Sequence, residues 1–199
     1  MLSSFLILLA AFAVYGLLHS ITASLWAKAL VVRWFGEPGR RIHRLAFSFF
    51  ATVSLLPIGW LYLTLPDREL YRLETPWSLV FLGVQALGVV FFLWSILTTD
   101  LPAFLGLRQF LGQGSDPERL VVGGPYRWVR HPMYTASLLV IWFNPALSLN
   151  LLAVNLSITL YFLIGGYYEE QKLLRQFGEA YAHYRTRTPM LILGLRLGD

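Results

Sequence analysis

Two short polar stretches near the C-terminus hold most of the residues that could carry chemistry. The first contains Arg130-His131-Pro132, and the second begins with Glu169-Glu170. Residues 135–168, which lie between them, contain no Asp, Glu, Lys or Arg. Placing charged and titratable groups at both ends of an apolar membrane hairpin costs free energy, so their presence there indicates a functional site.

The acidic pair Glu169-Glu170 lies where an apolar helix is predicted to leave the membrane. The helix macrodipole is negative at a C-terminus and disfavours each acid by roughly 0.3–1 kcal/mol. The two neighbouring carboxylates also repel each other, so a cationic partner would relieve both costs. The alternative is a solvated helix surface in which Glu169 pairs with Lys172 one turn later.

The basic stretch combines three groups that suit an anion. A residue before proline is pushed out of the helical region, so His131 should precede a helix whose first turn contains Pro132. The start of that helix would offer free N–H groups, and Arg127 and Arg130 add positive charge beside it. The alternative is a cluster of long side chains that snorkel at the membrane boundary.

The two stretches are more informative together, because the ends of a helical hairpin must be neighbours. One end would offer N–H donors, Arg and His, and the other end two carboxylates. Six aromatic residues lie in or near these stretches: Tyr126, Trp128, Tyr134, Tyr167, Tyr168 and Tyr181. A ligand with a carboxylate, an ammonium and a sulfonium would match, since aromatic faces attract cations. S-adenosylmethionine has all three groups.

The elements that must position these residues are predicted to be membrane helices. The chain is 56% hydrophobic and 14% charged, whereas a soluble domain carries about 25% charged residues. Three apolar runs, 2–26, 45–65 and 77–97, are each long enough to cross a bilayer core of roughly 30 Å. A fourth run, 133–168, is too long for one span, and Asn144-Pro145 and Asn150 interrupt it. We interpret it as two helices, 133–143 and 151–168.

The predicted fold is therefore an all-α integral membrane protein of about five transmembrane helices, the last two forming a hairpin. A cytoplasmic amphipathic helix should follow at 170–186, and Gly178 inside it indicates close packing. A short interfacial helix is predicted at 101–111. Residues 1–199 would form a single membrane domain, with three N-terminal spans in 1–97 and a cofactor-binding half in 98–199.

Basic residues predict the orientation. Fourteen of the sixteen Lys and Arg fall in the segments after the first and third runs and in the C-terminal tail, and two fall after the second run. The positive-inside rule then places the N-terminus outside and the C-terminus and active site in the cytoplasm. The net charge of +5 suits anionic lipid and predicts no nucleic-acid partner, because no basic face stands free of the membrane segments.

Two compositional facts limit the chemistry. The chain has no cysteine, which excludes disulfides, thiolate metal sites and a cysteine nucleophile. Its four histidines, at positions 19, 43, 131 and 183, are dispersed and show no metal-binding spacing. We therefore predict no metal site.

The motifs R-H-P-x-Y and E-E-x-x-L-x-x-x-F-G-x-x-Y-x-x-Y, separated by a hydrophobic hairpin, resemble those of the isoprenylcysteine carboxyl methyltransferase and phospholipid methyltransferase superfamily. In the N-terminal half, His19-Ser20 and residues 40–44 and 104–109 resemble the bacterial methanethiol S-methyltransferase and NnrU-like branch. That resemblance implies a bacterial-type inner membrane and a small or lipophilic methyl acceptor.

The resemblance also implies which residues contact S-adenosylmethionine. The cofactor-binding candidates are Leu120, Val121, Val122, Tyr126, His131, Pro132, Met133, Tyr134 and Glu169. One position departs from the pattern: prenylcysteine enzymes carry an arginine where this chain has Gly165. A thiol acceptor is therefore favoured over the carboxylate of a prenylcysteine.

The expected reaction is direct in-line methyl transfer, which depends on alignment and on exclusion of water. The candidate catalytic residues are Arg130, His131 and Glu170. Positive charge from Arg130 or Arg108 would favour a thiolate, and His131 could act as a base. The candidate substrate residues are His19, Arg108 and Gln109. An interhelical hydrogen bond is the alternative role for His19.

Three other functions remain open. The first is an NADPH-dependent membrane reductase of the sterol-reductase type, which would need more spans. The second is a non-catalytic, NnrU-like membrane sensor or assembly protein. The third is a small transporter, which usually shows internal repeats and polar residues at mid-membrane; neither is found in the sequence.

Overall fold

The computed structural model is mostly helical and describes residues 1–105, 107–111 and 119–191. The elements within those ranges, in chain order, are α1 (Leu2–Ala23), α2 (Leu25–Val53), α3 (Leu56–Thr64), β1 (Glu69–Arg72), α4 (Trp77–Leu97), α5 (Leu101–Leu105), α6 (Leu107–Phe110), a 3-10 helix (Gly124–Arg127), α7 (Pro132–Trp142), β2 (Ala146–Ser148), α8 (Leu149–Phe177) and α9 (Glu179–Arg187). The predicted helical fold is confirmed in the main, and the two strands are an addition to the expected all-α fold.

The chain divides into two compact units. Over the described residues, the first unit falls within Met1–Arg68, Asp100–Glu118 and Ser148–Ser157. The second falls within Glu69–Thr99, Arg119–Leu147 and Ile158–Asp199. Helix α8 therefore begins in the first unit and continues through the second.

The core of the first unit lies where α1, α3 and the start of α8 meet. Leu8 and Ala153 are fully buried there, and Ile58 is 6% exposed. Partly buried apolar side chains surround them, including Phe12 and Leu61. The small Ala153 side chain leaves room for Leu8, so this contact stabilises the unit by burying apolar surface.

Helix α2 corrects the predicted second span. The apolar runs predict a loop before residue 45, but the chain is helical from Leu25 to Val53 with one break at Gly36. Gly36 has φ 61° and ψ −141°, a conformation that favours glycine, and Pro38 follows it in the next turn. The break separates two helical pieces. A scan for apolar runs cannot tell these two pieces from a loop that is followed by a membrane span.

The second unit is organised by α4 and α7, which pack closely. Gly88 permits the approach, because a Cβ there would lie 3.0 Å from Val140 Cγ2 and 3.2 Å from the Ala136 carbonyl oxygen. Beside this contact, the Gln85 amide donates a 2.7 Å hydrogen bond to the Val140 carbonyl. The predicted bounds of α4, 77–97, agree with the observed helix.

The connection between α7 and α8 contains the predicted turn. Asn144 and Pro145 lie between α7 and β2, which pairs with β1 in a two-stranded sheet. The Tyr71 hydroxyl donates to the Asn144 carbonyl at 3.1 Å, and the Leu73 N–H donates to the Pro145 carbonyl at 2.8 Å. The hairpin turn is thus tied to the segment that precedes α4.

Helix α8 is longer than predicted and absorbs part of the expected C-terminal helix. It runs 29 residues to Phe177, and α9 begins after Gly178. Gly178 has φ +53° and open space where a Cβ would stand, so it marks a break in the helix. The interpretation of Gly178 as a close-packing position was wrong. Within the described residues, the predicted helix at 101–111 corresponds to α5 and α6.

Four helical segments are long and apolar enough to cross a membrane: Leu2–Ala23, Leu25–Thr64, Trp77–Leu97 and Leu149–Phe177. Helix α7 is apolar but has only 11 residues. At 1.5 Å per residue it rises roughly 16 Å, about half of a bilayer core. The described residues therefore contain four candidate spans and one short apolar helix.

Asp67 caps the start of α8. Its carboxylate accepts hydrogen bonds from the N–H groups of Arg68 at 2.7 Å and Asn150 at 2.9 Å. Partial burial raises the pKa of Asp67, but these bonds and one from the Ser148 side chain outweigh it and hold the pKa below its usual value. An anion at a helix N-terminus also meets the positive end of the macrodipole.

We predict that Asp67→Asn makes stability less sensitive to acid. A carboxyl whose pKa is lower in the folded state stabilises the fold above its unfolded pKa of about 3.9, and this is lost as pH falls through the folded pKa. The wild-type melting temperature in detergent should therefore drop below about pH 4, and the variant should drop less. Glu74→Gln, at an exposed acid, is the control. Equal acid sensitivity of wild type and Asp67→Asn would contradict the cap.

Candidate active site

The two polar stretches meet in the second unit, at the start of α7 and near the end of α8. Helix α7 begins at Pro132, and His131 before it has the non-helical angles φ −120° and ψ 68°. This is the boundary expected of a residue that precedes proline. Arg130, His131, Glu169 and Glu170 thereby come within hydrogen-bonding or ion-pairing distance of one another.

Arg130 and Glu170 form a bidentate ion pair. Arg130 Nε lies 2.7 Å from Glu170 Oε1, and Nη2 lies 3.1 Å from Oε2. The side chains are 11% and 9% exposed. A two-point guanidinium–carboxylate contact fixes orientation as well as distance, so this pair holds the two chain segments rigidly.

Arg130 also binds the last turn of α9 and the residue that follows this helix. Nη1 donates to the carbonyl oxygens of Arg185 at 2.9 Å and Thr188 at 2.5 Å. Four of the five guanidinium donor positions are then engaged within the chain. Arg130 therefore neutralises Glu170 and anchors the C-terminal residues.

His131 lies between the two carboxylates. Its Nε2 is 3.2 Å from Glu170 Oε1, and its Nδ1 is 3.6 Å from Glu169 Oε2. The histidine side chain is 6% exposed, whereas that of Glu169 is 48% exposed. Of the two acids, Glu169 is the one that an incoming cation can reach.

Tyr134 holds Glu169 and extends an aromatic stack. Its hydroxyl donates to Glu169 Oε2 at 3.0 Å. Its ring is parallel to the His131 ring, with centroids 5.1 Å apart, and to the Phe162 ring at 4.4 Å. The three rings form a stack in which Tyr134 is the middle ring, so both of its faces are covered and its hydroxyl points to Glu169.

The N-terminus of α7 is only partly free. The N–H groups of Arg130 and His131 donate to the carbonyls of Pro189 at 2.9 Å and Met190 at 3.1 Å. Pro132 has no N–H. The N–H groups of Met133 and Tyr134 make no hydrogen bond within the described residues. The predicted anion-binding end of the helix therefore reduces to two donors.

Tyr126 lies on the 3-10 helix that precedes α7. Burial, and then the Glu169 carboxylate, raise the pKa of Tyr126 to about 12, so its hydroxyl stays protonated as a donor. Its carbonyl accepts a 2.5 Å hydrogen bond from the Tyr184 hydroxyl, which ties α9 to this segment. The positive φ of 57° at Gly124 lets the chain turn against Thr98.

The other predicted residues of this region vary in exposure. Leu120 and Val121 are half-buried and Val122 is exposed, all outside regular elements. Among the six aromatic residues, Tyr181 is 1% exposed, while Tyr167 and Tyr168 are 59% and 68% exposed. Burial raises the pKa of Tyr181, whose hydroxyl has no hydrogen-bond partner among the described residues. The aromatic groups are thus divided between buried positions and the protein surface.

The predicted substrate residues belong to the first unit. His19 on α1 contacts the rings of Tyr15 and Phe47. Arg108 on α6 pairs with Asp100 at 3.1 Å. Gln109 lies on α6, and its side chain is outside what the structure describes. A role of these three residues in substrate binding stays a prediction.

Sequence reasoning missed Gly166 and the residues that follow α9. The carbonyls of Arg185, Thr188, Pro189 and Met190 bind the start of α7 through the backbone, so side-chain type carries no signal of it. For Gly166, the signal in the sequence is that it directly follows Gly165, the position that departs from the family pattern. No group of three or more His, Asp and Glu able to hold a metal ion occurs in the described part of the chain.

Comparison with known families identifies the fold that carries this site. The phospholipid methyltransferase family model matches residues 78–180, about half of the chain. The chain belongs to the phospholipid methyltransferase family. This confirms the membership predicted from the two motifs. The family match includes both polar stretches and ends before Thr188.

Curated relatives in this family are similar over most of the chain. Methanethiol S-methyltransferase 1 of Bradyrhizobium diazoefficiens is 29% identical over 94% of the chain and 65% of its own length. The Crocosphaera subtropica enzyme named methanethiol S-methyltransferase is 28% identical over 90% of the chain and 71% of its length. The one from Mycobacterium tuberculosis is 29% identical over 94% and 76%. The chain thus spans about two thirds of the length of these relatives. No solved structure matches it.

Proposed function

We propose that the chain is an integral membrane methyltransferase that uses S-adenosylmethionine and methylates a small thiol. The observation that carries this proposal is the half-exposed Glu169 carboxylate, which Tyr134 holds beside the free N–H groups at the start of α7. The negative carboxylate of Glu169 and the partly positive N–H groups at the start of α7 are thus offered to the same ligand. That arrangement suits a zwitterionic ligand.

The groups of S-adenosylmethionine fit the residues present. Its carboxylate would bind the N–H groups of Met133 and Tyr134, which the helix macrodipole favours. Its ammonium would bind Glu169. Its sulfonium would lie beside the ring stack of His131, Tyr134 and Phe162, near the Glu169 carboxylate. When bound, the cofactor supplies a methyl group activated for transfer to a nucleophile.

A small thiol is the acceptor that this chain favours. Relatives that cover most of the chain are named methanethiol S-methyltransferase. Gly165, in the turn before Glu169, offers no side chain and has open space where a Cβ would stand. No cationic group is supplied at that position to hold a substrate carboxylate, which supports a thiol over a prenylcysteine.

In the proposed mechanism, the three predicted catalytic residues have different roles. A thiol must lose its proton before its sulfur attacks, and we assign His131 as the proton acceptor. Arg130 and Glu170 engage each other and hold the His131 ring from its Nε2 side. Burial of His131 keeps water away from the reacting atoms.

The membrane placement we propose follows the charge asymmetry of the sequence. Helix α7 and the turn after it would form a short fourth crossing, giving five spans with the candidate spans α1, α2–α3, α4 and α8. The N-terminus would lie outside a bacterial inner membrane, with α9 and the active site on the cytoplasmic side. One membrane domain over 1–199 stays a prediction.

The first prediction of this proposal concerns cofactor affinity. Titration calorimetry should show binding of S-adenosylmethionine and S-adenosylhomocysteine, and Glu169→Gln should weaken it about 10- to 100-fold. Loss of a charge-assisted hydrogen bond costs roughly 1.5–3 kcal/mol, which corresponds to that range. Glu179→Gln removes an equal charge from exposed α9 and should bind like wild type. Wild-type protein that binds neither ligand would refute the proposal.

The second prediction concerns the acceptor. Incubation with methyl-labelled cofactor should label methanethiol, while prenylcysteine analogues and phospholipids stay unlabelled. The prenylcysteine analogues should stay unlabelled because no cation is present at Gly165 to bind their carboxylate. Faster labelling of a prenylcysteine analogue than of methanethiol would overturn the thiol assignment. Tight binding with no transfer to any thiol, carboxylate or amine would instead support a non-catalytic sensor.

The third prediction concerns orientation. Because the chain has no cysteine, Glu74→Cys and His183→Cys each introduce a single thiol at an exposed residue. A membrane-impermeant maleimide added to intact cells should label the first variant and leave the second unlabelled until the membrane is opened. The reverse pattern would exclude a cytoplasmic α9.

A further inference from the structure

The residues after α9 form what we call the C-terminal segment, Thr188–Leu191. It lies outside the family match, yet it is bound to the start of α7 through its backbone. Its carbonyls accept hydrogen bonds from the Arg130 guanidinium, from the N–H groups of Arg130 and His131, and from the Thr135 hydroxyl at 2.6 Å. Four successive carbonyls are engaged. The place of every side chain on this segment is therefore set by α7.

The Met190 side chain reaches α8 at Gly166. A Cβ built on Gly166 would overlap the terminal methyl of Met190. The same Cβ would lie 3.6 Å from Tyr134 Cε2 and 3.8 Å from His131 Nε2. The end of Met190 thus occupies the space that the missing side chain of Gly166 leaves, next to the two stacked rings.

This contact has a chemical consequence for the candidate site. The flexible side chain of methionine fills irregular gaps between packed groups. The gap at Gly166 adjoins the rings of His131 and Tyr134, which are 5.1 Å apart and nearly parallel. The Tyr134 hydroxyl in turn holds the exposed Glu169 carboxylate. Met190 is therefore connected to Glu169 through one ring.

We propose that Met190 is a positioning residue of the methyl-donor site. Its side chain, seated in the gap at Gly166, keeps the Tyr134 ring in the orientation that presents Glu169 to the ammonium of the donor, while Glu170 holds the His131 ring. This inference rests on the proposed function, since it names a residue that acts on donor binding. It predicts an effect on donor affinity that exceeds any effect on turnover.

Four variants and one control test this role. Met190→Ala removes the side chain, Met190→Leu keeps its size, Gly166→Ala displaces it, and the double variant Gly166→Ala/Met190→Ala has room for the new methyl. Gly83→Ala on α4 is the control, because a Cβ there meets nothing within 4 Å. The readouts are the dissociation constant of S-adenosylhomocysteine and the separate kcat and KM for the donor.

We expect Met190→Ala and Gly166→Ala each to weaken binding about three- to tenfold, or about 0.7–1.4 kcal/mol, because the gap beside the Tyr134 ring is then left empty or overfilled. KM for the donor should rise in proportion while kcat changes less. Met190→Leu should recover most of the affinity. The double variant should be no weaker than Met190→Ala alone, because contacting residues are not additive. Gly83→Ala should bind like wild type.

The outcomes separate this inference from the function on which it rests. Wild-type protein that binds no donor refutes the function itself. Wild-type binding together with unchanged affinity in Met190→Ala overturns only the role of Met190. Additive losses in the double variant also overturn it, because Gly166 and Met190 would then act separately. If Met190→Ala fails to fold by its melting curve, a Met190→Leu variant with wild-type melting and impaired binding would contradict the packing role.

Discussion

The structure of the second unit depends on the buried ion pair between Arg130 and Glu170. It joins three parts of the chain that are distant in sequence: the residue before the α7 boundary, the end of α8 and the segment after α9. Both side chains are about one-tenth exposed. Removing one partner of such a pair typically costs 3–5 kcal/mol, because the other charge is left buried without compensation. The positions of His131 and Glu169 therefore depend on this contact.

The Arg130–Glu170 ion pair gives the residues of the two motifs different roles. A sequence that contains Arg and His near one helix end and two Glu near another suggests four reactive groups. The geometry assigns Arg130 and Glu170 mainly to each other, and the arginine also satisfies carbonyls that would otherwise lack donors at the end of α9. Two of these four groups, Arg130 and Glu170, thus stabilise the fold. Of the four groups, Glu169 is the one left exposed to solvent.

The parts of this structure that sequence predicted are those with local signals. The bounds of α4 follow from a run of apolar residues, and the start of α7 follows from Pro132. The family membership follows from two spaced motifs. The helical residues of α2 before residue 45 were missed because their charged side chains do not belong to an apolar run. The C-terminal segment was missed because its carbonyls bind α7, and any residue type carries a carbonyl.

Helical phase explains how adjacent acids come to have different roles. Successive residues of an α-helix point about 100° apart, and residues four apart share one stripe. Phe162, Gly166 and Glu170 form the stripe that faces His131, and Glu170 is buried as a result. Glu169 is one step around the helix, beside Gly165, and keeps half of its surface. The two glutamates are therefore not interchangeable: a shift of one position would exchange the buried carboxylate that pairs with Arg130 for the exposed one.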